Sequence, residues 1–208
     1  MRGGLTPAMN PINNLSLTVS AEQLPKFFQL LEQGFILEST VGCGLRDFIC
    51  EGLGLDGEYL ENKVQTIFLD HNPVDNLDTA LIREGSTVAL SAAMPGLAGA
   101  TLRRGGQFAA MRNQISCRTG TACESDQKTK VTVKFFNVIA KDLGEIFFRK
   151  GVWIQESSLL WFFNKYLQST LSGTIKALID NREIDSHKLA EMPWEEVIFL
   201  KLFIDPTV

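Results

Sequence analysis

The chain has 208 residues, 45% of them apolar and 21% charged, with a formal net charge of −4 and a pI near 5.3. That is enough chain for one large domain or two small ones at roughly 150 residues per domain, and the balance excludes a disordered polymer or a coiled coil. No run of about 18 uninterrupted apolar residues exists, which excludes a membrane-spanning helix, and the acidic balance argues against a protein whose whole surface binds nucleic acid.

Met1-Arg2-Gly3-Gly4 is not followed by the apolar core of about 7 to 15 residues that a signal peptide needs, so the expected compartment is the cytoplasm. Residues 1–14 read as a flexible tail. Alternation in Leu15-Ser16-Leu17-Thr18-Val19 predicts a strand with one buried face. A second strand follows Gly34, where apolar residues alternate up to Glu38-Ser39. Leu45, Phe48, Ile49 and Leu53 recur at helical spacing. Ile67-Phe68-Leu69 is an apolar strand that ends in a polar turn led by Asp70, and Val88–Ala92 is a further strand.

The chain then repeats itself. Val131–Phe135 alternates like Leu15–Val19, and Gly151-Val-Trp-Ile-Gln-Glu-Ser157 matches Gly34-Phe-Ile-Leu-Glu-Ser39. Ser157-Ser158 opens a helical pattern through Leu167. Ala177-Leu-Ile-Asp180 then matches Ile67-Phe-Leu-Asp70, and Val197–Ile204 is a last strand. The Asp-to-strand interval is 18 positions from Asp70 to Val88 and 17 from Asp180 to Val197. Each copy therefore reads strand, strand, helix, strand, strand. The expectation is an α+β protein of two tandem modules, at residues 15–92 and 130–208, joined by a connector over 93–129. All three tryptophans and eight of the 14 phenylalanines lie at or after Lys130, so the second core should be the bulkier. Modules of about 75 residues are marginal alone and should pack on each other.

This order is that of the β-grasp (ubiquitin-like) fold, a sheet wrapped around one helix. Leu45-Arg46-Asp47-Phe48, Ile67-Phe-Leu-Asp-His-Asn-Pro-Val74 and Arg83-Glu-Gly-Ser-Thr-Val-Ala-Leu90 resemble the β-grasp sulfur carriers, namely the small subunit of molybdopterin synthase and the thiamine-biosynthesis sulfur carrier. The resemblance covers about residues 15–106. It implies a C-terminal Gly-Gly tail that a partner enzyme adenylates and thiocarboxylates. The family's tail position falls near Pro95-Gly96-Leu97-Ala98-Gly99, without paired glycines; a pair follows at Leu102-Arg103-Arg104-Gly105-Gly106, which looks like the tail of ubiquitin but lies mid-chain. Without cleavage after Gly106 there is no terminal carboxylate for that chemistry.

The connector is the most unusual stretch. No acidic residue occurs between Glu84 and Glu124, and Arg103, Arg104, Arg112 and Arg118 fall in that gap. Arginine forks beside the glycine-freed amides of Gly105 and Gly106 suit a phosphate or carboxylate ligand. Cys43 and Cys50 are seven residues apart on a helical segment, and Cys50 reads as a small buried hydrophobe. Cys117 and Cys123 sit in a polar loop. These spacings match neither zinc knuckles nor the ferredoxin pattern, so neither metal nor cofactor is expected. His71 and His187 fall in predicted turns. Gly52-x-Gly54-x-x-Gly57 follows a helix, not the strand a dinucleotide loop requires. No side chain stands out as catalytic.

The functional expectation is a non-catalytic binding or partner-docking protein, with a protein partner, a small anionic ligand or self-association in view and neither membrane nor nucleic acid. The alternatives are a sulfur-carrier or modifier precursor activated by cleavage after Gly106, and an anion- or nucleotide-binding module using the connector arginines. A third is an enzyme with a site between the modules that uses His71 or Cys117.

Overall fold

In each half an amphipathic helix separates the first two strands. The computed structural model describes residues 14–93, 96–107, 126–192, 194 and 199–207. β1 (Asn14–Ser20) leads to α1 (Leu24–Gln33), and β6 (Lys128–Phe136) leads to α5 (Asn137–Lys150). Pro25 sits in the first turn of α1, where its missing N–H costs nothing. Leu24, Phe27, Leu30 and Leu31 form the buried stripe of α1, and Ile139, Leu143 and Phe147 are part of that of α5. Both helices stop at a glycine with positive φ, Gly34 at 125° and Gly151 at 82°, from which β2 (Phe35–Thr40) and β7 (Val152–Gln155) depart. These two helices are absent from the strand–strand–helix order expected from sequence. Their apolar stripes are short and lie next to stronger strand patterns.

The rest of each half follows the expected order. α2 (Leu45–Asp47) continues as one π turn over Phe48–Gly52, then comes α3 (Gly57–Asn62), and both bury Leu45, Phe48, Ile49 and Leu60. β3 (Thr66–Leu69), β4 (Asn72–Pro73), β5 (Thr87–Ser91) and α4 (Gly96–Leu102) complete the first half. α6 (Glu156–Gly173), β8 (Thr174–Ile179), β9 (Arg182–Ile184) and β10 (Phe199–Thr207) complete the second. The two Asp-led turns are built alike. Asp70-His71 has φ of 50° and 68°, Asp180-Asn181 of 47° and 66°, which is the two-residue hairpin geometry that Asp and Asn tolerate. Asp70 Oδ1 accepts from the Thr87 N–H at 2.8 Å and Asp180 Oδ1 from the Asn14 N–H at 2.9 Å, so each carboxylate anchors the neighbouring strand.

The ten strands among the described residues form one mixed sheet, ordered β4-β3-β5-β6-β2-β7-β10-β1-β8-β9. The expected boundaries at residues 92 and 130 do not coincide with any break in it. β6, expected to open the second module, lies parallel to β5 and antiparallel to β2, inside the first half. β1, expected to open the first module, lies parallel to β10 and antiparallel to β8, inside the second. Each half is thus completed by the strand that was expected to open the other. The two halves meet where Ile36 of β2 pairs with Trp153 of β7.

The described helices that line the core pack on one face. Phe135 of β6 stands edge-on to Phe35 of β2 and to Phe147 of α5, at 5.1 and 4.9 Å between ring centres. Phe27 of α1 lies 4.9 Å from Phe162 of α6, and the Tyr59 hydroxyl of α3 reaches Asp142 of α5 at 3.2 Å. Such ring pairs add about 0.5–1.5 kcal/mol each beyond their burial. One core runs beneath the whole sheet and includes Cys43 and Cys50 as half-buried neighbours. Burial pushes the Cys50 thiol above its ordinary value, a change that the nearby Arg46 partly opposes. Among the described residues no helix is long and apolar enough to cross a membrane.

Candidate binding face

Strand alternation gives the sheet a second face of different chemistry. In β6, Thr129, Val131, Val133 and Phe135 are buried toward the helices, whereas Lys128, Lys130, Thr132, Lys134 and Phe136 alternate with them and retain solvent exposure. The register carries this face across the sheet: Ala89 lies beside Lys134, Glu38 beside Lys130, Ile36 beside Trp153, and Trp153 beside Lys201. Phe203 lies beside Ser16 on β1. The middle of the face therefore carries Phe136, Trp153, Phe199 and Phe203 with Lys130, Lys134 and Lys201 between them. Trp153 is 44% exposed.

Two depressions flank β6. One, of about 660 Å³, is lined by Phe68, Ala89, Lys134 and Phe136 together with Glu32, His71 and Asn137. Asn137 is held there rigidly in a left-handed conformation (φ 49°); its side-chain oxygen accepts from the Ala92 and Val138 N–H groups and its amide donates to Ser91 Oγ at 2.8 Å. The other, of about 540 Å³, opens where β2 and β7 part beyond their single pair, with Ile36, Glu38, Lys130, Trp153 and Phe199 around it. Lys130 Nζ crosses this gap to lie 4.3 Å from the centre of the Phe199 ring, and Lys201 Nζ lies 5.2 Å from that of Phe203. Among the described residues none of Lys128, Lys130, Lys134 and Lys201 forms an ion pair with a carboxylate.

The residues singled out from the connector lie elsewhere. Arg103, Arg104, Gly105 and Gly106 follow α4 in a turn closed by the Gly106 N–H donating to the Arg103 carbonyl at 3.1 Å. Arg104 is drawn into an ion cluster. Its backbone N–H donates to the Gln65 carbonyl at 2.8 Å, and its guanidinium donates to Glu61 Oε2 at 2.7 Å and to the Leu60 carbonyl at 3.3 Å. Arg46 donates to the other Glu61 oxygen at 3.0 Å and to Asp78. The Arg46 hydrogen bond, with Arg104 beside it, holds the Glu61 carboxyl below the usual carboxylate range. Here the Glu61 carboxylate and the Leu60 carbonyl already engage the guanidinium of Arg104. Arg112, Arg118, Cys117 and Cys123 lie outside the described residues.

His71 occupies its hairpin turn at the rim of the larger depression, and His187 lies in a 3-10 turn capped by Asp185, whose carboxylate accepts from the His187 backbone N–H at 2.9 Å. Among the described residues no three His, Cys, Asp or Glu side chains converge where a metal ion would sit. The aromatic and lysine side chains of the open face were missed at the sequence level. Their signal was present in Lys128-Thr-Lys-Val-Thr-Val-Lys-Phe-Phe136, where the polar half of the alternation is basic and ends in a ring. Comparison with protein-family models, curated proteins and solved structures finds no match to the chain.

Proposed function

We propose that this chain is a non-catalytic binding protein, made of two fused β-grasp units, that receives its partner on the open face of the common sheet. The observation that carries the reading is the row of rings and lysines running from Phe136 through Trp153 to Phe203 across strands of both halves. Aromatic rings left in contact with solvent are enriched where surfaces meet partners, and here lysines that form no ion pair among the described residues stand between them and add a charge for a partner to match. Support for the β-grasp assignment comes from the halves themselves. Each has a parallel central pair, β5-β6 or β10-β1, flanked by antiparallel strands, an Asp-led hairpin at its outer edge and a helix on one face.

The carrier-precursor reading fits less well. Cleavage after Gly106 would separate β2 and β5 from β6, the strand between them, so the released piece would lack the centre of its own sheet. The connector-arginine reading is weakened by the engagement of Arg104 with Glu61. The test is site-specific photocrosslinking in the native cells. A benzophenone side chain at Thr132, on the open face, is expected to yield a discrete adduct, and one at Lys141, on the outer surface of α5, is not. Adducts only from Lys141, or from neither site, would overturn the proposal.

A further inference from the structure

A face that receives a partner must match it in charge and in shape, and here both features repeat along one direction. Lys128, Lys130 and Lys134 stand at alternate positions of β6, so Lys128 and Lys130 are about 7 Å apart along the strand. Lys201 continues the basic character on β10, with Trp153 beside it. Trp153 is exposed and Phe136, Phe199 and Phe203 are partly exposed beside these cations, with the flexible Lys130 and Lys201 side chains lying over the last two rings. The chain as a whole is acidic, and this face carries Glu38 beside Lys130 and Asp205 paired with Arg149 at the end of β10, but charges further than about 10 Å away are largely screened at ordinary salt, so between those two carboxylates a ligand meets mainly lysines.

Resting on the reading of this face as the docking surface, we propose that its occupant is a single-stranded nucleic acid. Lysines along a strand track phosphates, and rings between them stack unpaired bases; neither interaction requires a particular sequence. An acidic polypeptide would satisfy the lysines and leave the rings without flat partners. A duplex presents its bases stacked and paired, out of reach of rings on a broad sheet. The crevice between β2 and β7 provides a place for one inserted base beside Trp153 and Phe199. The assignment departs from the expectation drawn from net charge, because the charge that matters is confined to one face.

The experiment is fluorescence anisotropy of labelled oligothymidylate and oligouridylate of about 12 nucleotides, a length within the range single sheet modules cover. Polyglutamate and an annealed duplex serve as competitors, and the protein is the full chain. Saturable binding is expected, weakened roughly 50-fold between about 50 and about 200 mM salt, as four phosphate contacts, one per lysine, require. Trp153→Ala and Phe199→Ala should each weaken it roughly tenfold or more. The pair Lys130→Gln and Lys134→Gln should flatten the salt dependence, and Lys141→Gln should leave binding unchanged. No saturable binding, or binding indifferent to the ring substitutions, would overturn the inference. If oligonucleotides fail and polyglutamate binds, or if the Thr132 photoadduct is a polypeptide, the docking face stands and the nucleic-acid assignment falls. Absence of any open-face adduct removes both.

Discussion

Cutting the chain after Gly106 tests the strand exchange directly. The fragment 1–106 retains β1 to β5 but loses β6, and with it the neighbour of five residues of β5 and six of β2. Val131, Val133 and Phe135 are fully buried. At about 1.5–3 kcal/mol per buried side chain their removal costs about 5–9 kcal/mol, comparable to the whole stability of an ordinary domain, about 5–15 kcal/mol. β1 in the same fragment loses both of its neighbours, β10 and β8. The fragment alone should show neither native far-ultraviolet circular dichroism nor a cooperative urea transition. Mixing it with the fragment 107–208 should restore both at equimolar ratio, and native mass spectrometry should find the two pieces associated. A cooperative transition from the fragment 1–106 alone would refute the exchange and return the carrier-precursor reading to first place.

Three further outcomes follow from the same packing. Gly151→Ala, at φ 82° with its methyl driven against the Phe203 ring, should destabilise by about 2–5 kcal/mol in urea titrations, the sum of left-handed strain and overpacking; no measurable change would contradict the close approach of Phe203 to Gly151. Phe135→Ala should cost about 3–5 kcal/mol and Trp153→Ala less than about 1 kcal/mol, because the first ring is buried and the second half in water. Burial, with Asp142 adding to it, pushes the Tyr59 phenol up to about 12. Its proton is retained in the folded chain while the unfolded chain releases it near 10, so this contribution to stability is whole below pH 10 and lost as pH rises toward 12. In a Tyr166→Phe background, ultraviolet titration should find the single remaining phenol ionising near 12, and lower in Asp142→Asn.

Local features were legible in the sequence, and partnerships were not. The glycines at 34 and 151 and the turns at Asp70 and Asp180 are visible because backbone geometry selects those residue types wherever the strands lie. Alternation in Val131–Phe135 shows that one face is buried, and it is silent on which strands lie to either side. Alternation does not say whether residues 128–136 belong beside β5 or beside β10, and chain connectivity favoured the copy that follows, whereas the sheet places them between β5 and β2. The two unexpected helices had readable stripes, Phe27-Leu30-Leu31 and Ile139-Leu143-Phe147, each flanked by a strand signal that drew attention away. For the site, the arginine-rich connector was the conspicuous feature. Glu61, distant in sequence, is what neutralises Arg104. The open face emerges only when the register aligns Ala89, Lys134, Ile36, Trp153 and Lys201 across five strands.

The claim that one open face spanning both halves is where the partner sits is tested most directly by hydroxyl-radical footprinting of the protein inside its native cells against the purified chain. Phe136, Trp153, Phe199 and Phe203 should be protected from oxidation in the cell, with Tyr59 and Ile146 on the helical side oxidised equally in both samples. Equal oxidation of the four open-face rings in cell and in isolation, or protection confined to Tyr59 and Ile146, would contradict it.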